Sequence, residues 1–198
     1  GVLTEPTKLG AGAGSLWVLP LQAWFEPGFG QPGEEVMHWA MATLPDFQEV
    51  VWPPSVGSTL DGASQFFDAL NEERLEMAYD GPVVTFSHFL PRLELLPAQL
   101  SPEMSLIRAT AGTERLEARV RSTNSKLHVF GHSPINWYTH WNGVHYLQNG
   151  LRYPHERQNA PSRVDATFAG LEDPLLPFLV WRSEDPENFC MHPDRCGS

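Results

Sequence analysis

The stretch Val83-Val84-Thr85-Phe86-Ser87-His88 decides the fold. Its first four residues are β-branched or aromatic and do not alternate with polar residues, which predicts a strand covered on both faces. A second run, Lys126–Phe130, has a similar character and is followed by Gly131-His132. In α/β folds, ligand-binding side chains gather at the carboxyl ends of strands. His88 and His132 are therefore the first candidates for a functional site.

Each of these histidines has two interpretations. A neutral imidazole at a strand end is a natural ligand for a borderline divalent metal. Gly131 also allows a sharp turn that would aim His132 back over the sheet. Strand-end histidines can also be structural, and residue chemistry alone favours the structural role. The sequence thus predicts two histidines at strand ends and leaves their role open.

Further segments extend the α/β pattern. Strands are predicted at Ser15–Pro20, Pro82–Ser87, Lys126–Phe130, Val144–Gln148 and Leu176–Trp181. One helix is predicted from Gly62 to Tyr79, with Asp61 or Ser64 as its N-cap, and a second from Thr113 to Arg121. This order of elements is typical of an α/β sandwich.

The segment Asn136–Gly143 is rich in aromatic residues and ends in Asn142-Gly143. Asn-Gly between two strand-like segments is a strong signal for a two-residue hairpin turn. A packed hairpin is the structural interpretation, and an exposed aromatic surface that contacts a protein or a substrate is the functional one.

Glycine and proline in Glu26–Gly33 and Leu44–Gly57 indicate long connections.

The two histidine segments resemble the last two motifs of the calcineurin-like metallophosphoesterase family. Ser87–Arg92 and Val129–Ser133 are similar to the S-H-F-L-P-R and H-V-F-G-H-T-H motifs of a eukaryotic branch. The resemblance also includes Val18–Leu21, Trp24-Phe25, Asp46 with Trp52-Pro53, Phe67–Asn71 and Gly150–Arg157. It implies the C-terminal part of a metallophosphoesterase-like domain over residues 1–182. Residues 183–198 are expected to form a polar surface tail with two cysteines.

The resemblance implies a four-layer α/β/β/α sandwich that holds two metal ions at strand ends. Two such ions clamp a phosphate ester and activate a hydroxide. His88 corresponds to the fourth family motif and Gly131-His132 to the start of the fifth, G-H-x-H, and the family scheme assigns both histidines to one metal site. Arg92 is the candidate phosphate ligand, ahead of Arg152 and Arg157. The alternative for these arginines is a salt bridge, since the chain has 24 acidic residues.

The chain departs from the family pattern in two ways. D-x-H, G-D-x-x-D and G-N-H do not occur, and Pro134 stands where the second histidine of G-H-x-H is expected. The proline side chain has no lone pair for a metal. The chain begins at Gly1-Val2-Leu3, so the resemblance implies a domain entered just after its third motif and lacking its N-terminal strands. A vestigial site without a cofactor is expected, or divalent Mn, Fe or Zn if the protein is active.

The charge balance narrows the class of partner. The chain carries 24 acidic and 13 basic residues, for a net charge of −11, and only Lys8 and Lys126 are lysines. This surplus of negative charge disfavours nucleic acid and anionic membranes. No apolar run reaches the roughly 18 residues of a membrane span, so membrane association is expected only through a partner. Cys190 and Cys196 could form a local disulfide or bind a metal, which leaves the compartment open.

Two functions are consistent with these features. The first is a degenerate, non-catalytic metallophosphoesterase-like protein that acts as a structural or accessory subunit, with other protein subunits as its partners. The second is the C-terminal part of an active metal-dependent phosphoesterase whose first three motifs lie outside this chain. The missing ligands, together with the surplus of tryptophan and of proline-rich segments, favour the first.

Overall fold

The computed structural model describes residues 2–57, 59, 61–98, 100, 102–150, 153–154, 179–186 and 189. The strands are β1 Thr7–Leu9, β2 Leu16–Pro20, β3 Val83–Phe86, β4 Leu127–Val129, β5 Trp137–Trp141 and β6 Val144–Gln148. The α-helices are α1 Glu34–Thr43, α2 Pro45–Gln48, α3 Gly62–Ala69, α4 Glu72–Glu76, α5 Pro102–Ser105 and α6 Glu114–Ser122. Within these ranges, no helix combines the length and apolar character that a membrane crossing requires.

The six strands form one sheet in the order β1-β2-β3-β4-β6-β5. The four central strands are mutually parallel, and the edge strands β1 and β5 run antiparallel to their neighbours. This arrangement confirms an α/β fold and the four predicted strands that became β2, β3, β4 and β6. The described ranges contain this one sheet only, so the second sheet of the expected sandwich is not among them.

Apolar side chains cover both faces of the sheet. On one face, α6 and the segments that follow β2 and β3 build the larger cluster, which includes Phe25, Phe89, Leu116 and Tyr146. On the other face the cluster is smaller and lies beneath residues 180, 181 and 189. Both faces of β3 are therefore buried, as its continuous β-branched sequence predicts. Residue 189 belongs to the predicted tail. The boundary between the domain and this tail, between residues 182 and 183, stays a prediction.

Helix α6 begins one residue later than predicted, and Thr113 is its N-cap. The Thr113 hydroxyl accepts a hydrogen bond from the backbone N–H of Arg115 at 3.2 Å. Thr113 is also buried, and its hydroxyl accepts a hydrogen bond from Ser64 of α3 at 3.3 Å. This contact places the first turn of α6 against α3.

The single helix predicted from Gly62 to Tyr79 is wrong, because the segment forms two short helices. The break falls at Leu70 and Asn71. Asn71 is fully buried, and its side-chain amide pairs with both the N–H and the C=O of Gln22, each at 2.8 Å. A tertiary contact of this kind cannot be read from helical periodicity. Asp61 occupies the predicted N-cap position without a side-chain capping bond.

Three other local features differ from what the sequence predicts. Helices α1 and α2 were not predicted, and α2 lies inside the proline-rich stretch that indicated a long connection. Strand β1 was also missed, because three residues are too short for a periodic signal. Of the predicted strand Leu176–Trp181, residues 179–181 are described and are not in a strand, and the remainder lies outside the described residues.

Candidate metal-binding site

The structure brings His88 and His132 together at the carboxyl edge of the sheet. His88 follows β3 by two residues and His132 follows β4 by three. Strands β3 and β4 are parallel neighbours, with Val84 opposite Leu127. Their carboxyl ends therefore lie side by side, which is where α/β folds concentrate ligand-binding groups.

One nitrogen of each imidazole ring faces the other ring. His88 Nε2 lies 3.2 Å from His132 Nδ1. The rings are almost perpendicular, at 89°, with centroids 5.1 Å apart. His88 is exposed and His132 is half-buried. The pair is thus accessible to a small ion or ligand from the His88 side.

A tight turn after β4 creates this approach. His132 has φ +71°, in the left-handed region that few side chains adopt. The N–H of Gly131 donates to the carbonyl of His88 at 3.0 Å. A Cβ atom at Gly131 would lie 3.3 Å from that carbonyl oxygen and 3.5 Å from His88 Nδ1. Glycine therefore allows the two histidine loops to lie in direct contact.

Thr110 holds the other nitrogen of His132. Its hydroxyl oxygen lies 2.9 Å from His132 Nε2, and the Thr110 side chain is buried. A hydroxyl can accept from a protonated Nε2, which leaves the Nδ1 lone pair directed at His88. Metal-binding histidines commonly have their second nitrogen fixed by such a partner. The neutral tautomer that suits a metal at Nδ1 is thus available to His132.

Burial favours the uncharged form of both rings. Burial, together with a smaller effect of the charge on His88, lowers the pKa of His132 to about 4. The partial burial of the His88 ring also lowers its pKa, although the negative charge of Asp46 opposes this shift. Both imidazoles are therefore neutral near pH 7, the state in which a ring nitrogen can bind a metal.

Aromatic rings form the floor beneath the histidine pair. The ring of Phe89 lies 5.0 Å from His88 and 4.9 Å from His132, measured between centroids. Trp24 and Phe25 pack against Phe89 at 5.5 and 5.8 Å. This apolar floor shields one side of the pair from water, which strengthens electrostatic interactions at the site.

The donor atoms fit a divalent cation. Zinc lies about 2.0–2.1 Å from an imidazole nitrogen, so one ion can contact both nitrogens across their 3.2 Å separation. The same distance also allows a direct N–H···N hydrogen bond between the rings. No third His, Cys, Asp or Glu joins the pair in a metal-binding group among the described residues. The pair thus supplies two ligands of a larger coordination shell.

Arg92, the predicted phosphate ligand, is engaged by two carboxylates. Its NH1 donates to Glu117 at 3.1 Å and its NH2 to Glu94 at 2.8 Å. Its guanidinium also lies over the ring of Trp141 at 4.8 Å. These contacts match the salt-bridge alternative for Arg92. The other two candidates, Arg152 and Arg157, lie outside the described residues, as do Cys190 and Cys196.

Sequence reasoning missed the role of His128, which is fully buried in β4. One ring nitrogen lies 2.9 Å from the Thr85 hydroxyl and the other 3.1 Å from the Ser87 hydroxyl. Ser87 in turn donates to the carbonyl of Phe89 at 2.8 Å. His128 therefore holds the backbone on both sides of His88. The sequence places His128 in the middle of a predicted buried strand, and this position was the only indication that its side chain is buried.

The aromatic segment before Asn142 forms the predicted hairpin. Strands β5 and β6 pair through the two-residue turn Asn142-Gly143, whose φ angles are +46° and +80°. Positive φ at both central residues is typical of a type I′ turn. Arg121 of α6 anchors the turn, because it donates to the carbonyl of Asn142 at 2.7 Å.

Comparisons with known proteins support the fold. No family model matches this chain. No curated protein sequence matches it significantly either. Among solved structures, it is similar to a phosphopantetheinyl hydrolase from Mycobacterium tuberculosis, with a TM-score of 0.59 and 20% sequence identity. The match covers 79% of this chain but 57% of that one, so the chain spans little more than half the length of this structural neighbour. At such identity the likeness concerns the fold: the chain shares an α/β architecture with a hydrolase.

Proposed function

We propose that this chain is a metallophosphoesterase-like protein that holds one divalent cation between His88 and His132 and serves as an accessory subunit instead of a catalyst. The observation that carries the proposal is the 3.2 Å approach of His88 Nε2 to His132 Nδ1. Two ligands of one metal ion are expected to converge in this way. The fold shared with a hydrolase supports a phosphoesterase-like ancestry, and the resemblance in the two histidine segments supports the finer family assignment.

The residues around the pair support a role in cation binding. Thr110 would hold the ring of His132 in one tautomer, and the loop contacts of Gly131 would keep both rings in register. Phe89 would exclude water from beneath the ion. A divalent cation bound there would polarise a phosphate oxygen.

Three features support an accessory role. Pro134 replaces the histidine expected as a ligand of a second ion, and a two-metal clamp needs both ions. The described residues bring no carboxylate into a metal-binding group with the pair. The positive charge of Arg92 is already matched by Glu94 and Glu117, which weakens its value as a phosphate anchor.

The surface also offers contact area for a protein partner. Trp39 and Met41 of α1 are 47% and 41% exposed, and Val51 in the following connection is 91% exposed. Exposed large apolar side chains are available for contacts with another protein. We assign the partner surface to residues 34–57 on this ground.

The second candidate is an active phosphoesterase in which residues beyond those described complete the metal site. The observation that favours it is the structural neighbour, because that protein is a hydrolase. The two candidates differ in turnover, and both include cation binding by the histidine pair.

Metal binding and turnover can be measured on the same preparations. The full chain is titrated with Zn²⁺ and Mn²⁺ by calorimetry and then assayed with p-nitrophenyl phosphate and bis(p-nitrophenyl) phosphate. We expect His88→Ala and His132→Ala each to weaken cation affinity at least about tenfold, while exposed His38→Ala in α1 leaves it unchanged. We also expect turnover at background, including in Pro134→His. Unchanged affinity in both site variants would refute the cation site, and turnover that is lost in His88→Ala would establish the enzyme instead.

A further inference from the structure

A cavity lined mainly by aromatic and apolar side chains lies next to the histidine pair. Its volume is about 710 Å³, and its walls include Trp24, Phe25, Phe47 and Trp52. Trp24 and Phe25 also pack against Phe89, the floor of the pair, so the cavity and the pair share side chains. A concave space of this size with mostly apolar walls is typical of small-molecule sites.

The aromatic walls of this cavity meet at steep angles. The rings of Trp24 and Trp52 are inclined at 86°, with centroids 4.9 Å apart. Those of Phe25 and Phe47 are inclined at 67°, with centroids 5.4 Å apart. A corner between two perpendicular rings can offer a guest more than one ring surface. Because the face of an aromatic ring carries partial negative charge, such walls attract a cation, and tryptophan does so most strongly.

One carboxylate adds a full negative charge to the cavity. Asp46, at the start of α2, is the only charged residue among the described residues that line it. Its side chain forms no hydrogen bond or ion pair with another described residue. Its charge also acts on the ring of His88, which is neutral near pH 7 and does not balance it. The cavity therefore combines aromatic walls with an unmatched negative charge.

We propose that this cavity binds a small quaternary ammonium ion, such as choline, with the aromatic rings around its methyl groups and Asp46 as its counter-ion. Aromatic cages are the means by which many proteins recognise this class of cation. The net charge of −11 also raises the local concentration of cations. The ligand belongs to a different class from the metal ion proposed at the histidine pair, and its binding does not depend on that ion.

The acceptors in the cavity favour a quaternary ion over a primary one. A primary ammonium group has three N–H donors, and burying a donor without a partner costs free energy. Among the described side chains of the lining, only those of Asp46 and Thr59 carry hydrogen-bond acceptors. A quaternary ion has no N–H donor, so aromatic walls and one carboxylate are sufficient for it.

The experiment compares choline with two analogues on the full chain. Calorimetry measures the affinity for choline, for its neutral tert-butyl analogue and for ethanolamine. EDTA is present throughout, so that no metal ion competes for the charge of Asp46. We expect choline to bind at least about tenfold more tightly than either analogue, because one lacks the charge and the other retains N–H donors.

Two variants, each with a matched control, locate the bound ion. Asp46→Asn and Trp52→Leu are each expected to weaken choline binding at least about fivefold, and Asp46→Asn is expected to leave the affinity for the neutral analogue unchanged. The control Glu49→Gln removes a nearby negative charge outside the lining, and Trp39→Leu removes an exposed tryptophan of α1. Both controls are expected to keep wild-type affinity. Circular dichroism checks that every variant keeps the fold.

Several results would overturn the proposal. No detectable choline binding to the folded chain, or equal affinities for choline and its neutral analogue, would refute a cation site. Wild-type affinity in both Asp46→Asn and Trp52→Leu would mean that choline binds outside this cavity. Ethanolamine binding as tightly as choline would assign the cavity to a primary ammonium group, and binding of phosphatidylcholine vesicles without binding of free choline would assign it to a lipid surface. Since EDTA is present, failure of the histidine pair to bind metal leaves each of these outcomes unchanged.

Discussion

The hydroxyl of Thr110 lies 2.9 Å from Nε2 of His132, and the opposite nitrogen of the same ring faces His88. Thr110 precedes α6 in the chain and ends a 3-10 turn, Leu106–Thr110, so a distant connection orients the strand-end histidine. When the Thr110 hydroxyl accepts a hydrogen bond from Nε2, the proton of the His132 ring stays on Nε2. The lone pair is then on Nδ1 and points at His88.

Thr110→Val should weaken cation binding at the histidine pair by about tenfold or more, because valine has the same shape but cannot fix Nε2 of His132. Calorimetric titration with Zn²⁺ measures the affinity, and ¹⁵N chemical shifts of the imidazole report the tautomer. The control is Thr43→Val, at an exposed hydroxyl that bonds the backbone of α1. Equal affinities and unchanged tautomers in the Thr110 variant would contradict this role.

Stability should fall as the pH is lowered through the range where buried histidines resist protonation. Burial lowers the pKa of His128 from 6.5 to about 3. Below pH 6.5 the unfolded chain takes up a proton that the folded chain refuses, so the free energy of unfolding decreases until about pH 3. For one group the limiting slope is about 1.4 kcal/mol per pH unit.

His128→Gln should reduce this slope by about one group's contribution, because the side chain no longer titrates. Urea unfolding at pH 7, 6, 5 and 4 gives the slope, and each variant is compared with itself across pH, so its absolute stability does not matter. His38→Gln, on exposed α1, is expected to leave the slope unchanged. A wild-type slope in His128→Gln would mean that His128 is protonated in the folded protein.

The ion pair between Asp68 and Arg119 should contribute measurably to stability. It joins α3 to α6 by two hydrogen bonds, of 2.8 and 2.7 Å, and the side chains are only 16% and 22% exposed. A double-mutant cycle with Asp68→Ala and Arg119→Ala, followed by urea unfolding, is expected to give a coupling energy of about 1–3 kcal/mol. The exposed pair Lys8–Asp80 is the control and should couple more weakly. Similar coupling in both cycles would show that burial adds nothing here.

Gly112→Ala should destabilise the protein by about 1–3 kcal/mol, because a methyl group there would overlap the carbonyl of Leu90. Leu90 and Gly112 form a parallel bridge that holds the segment after His88 against the start of α6. Thermal and urea unfolding measure the loss. At Gly28 no described atom lies within 4 Å of the added carbon, so Gly28→Ala should be nearly neutral. The prediction fails if the two variants have the same stability.

Local sequence determined the elements whose signals do not depend on distant residues. The β-branched and aromatic run at 83–86 buries both faces of β3, Thr113 caps α6, and Asn142-Gly143 turns the hairpin. Each of these follows from side-chain shape, a capping hydroxyl or backbone conformation within a few residues. The placement of His88 and His132 at strand ends was also available from sequence, because each directly follows such a run.

Tertiary structure alone decided which groups meet. Asn71 ends α3 through its contact with Gln22, although the helical pattern continues through it. Arg92 binds Glu94 and Glu117, although its motif suggested phosphate. The 3.2 Å between His88 and His132 depends on the pairing of β3 with β4, which are separated by some forty residues of chain. Hydrogen bonds and ion pairs between distant segments form only after the sheet sets the relative positions of those segments. They therefore cannot be predicted from composition and residue spacing.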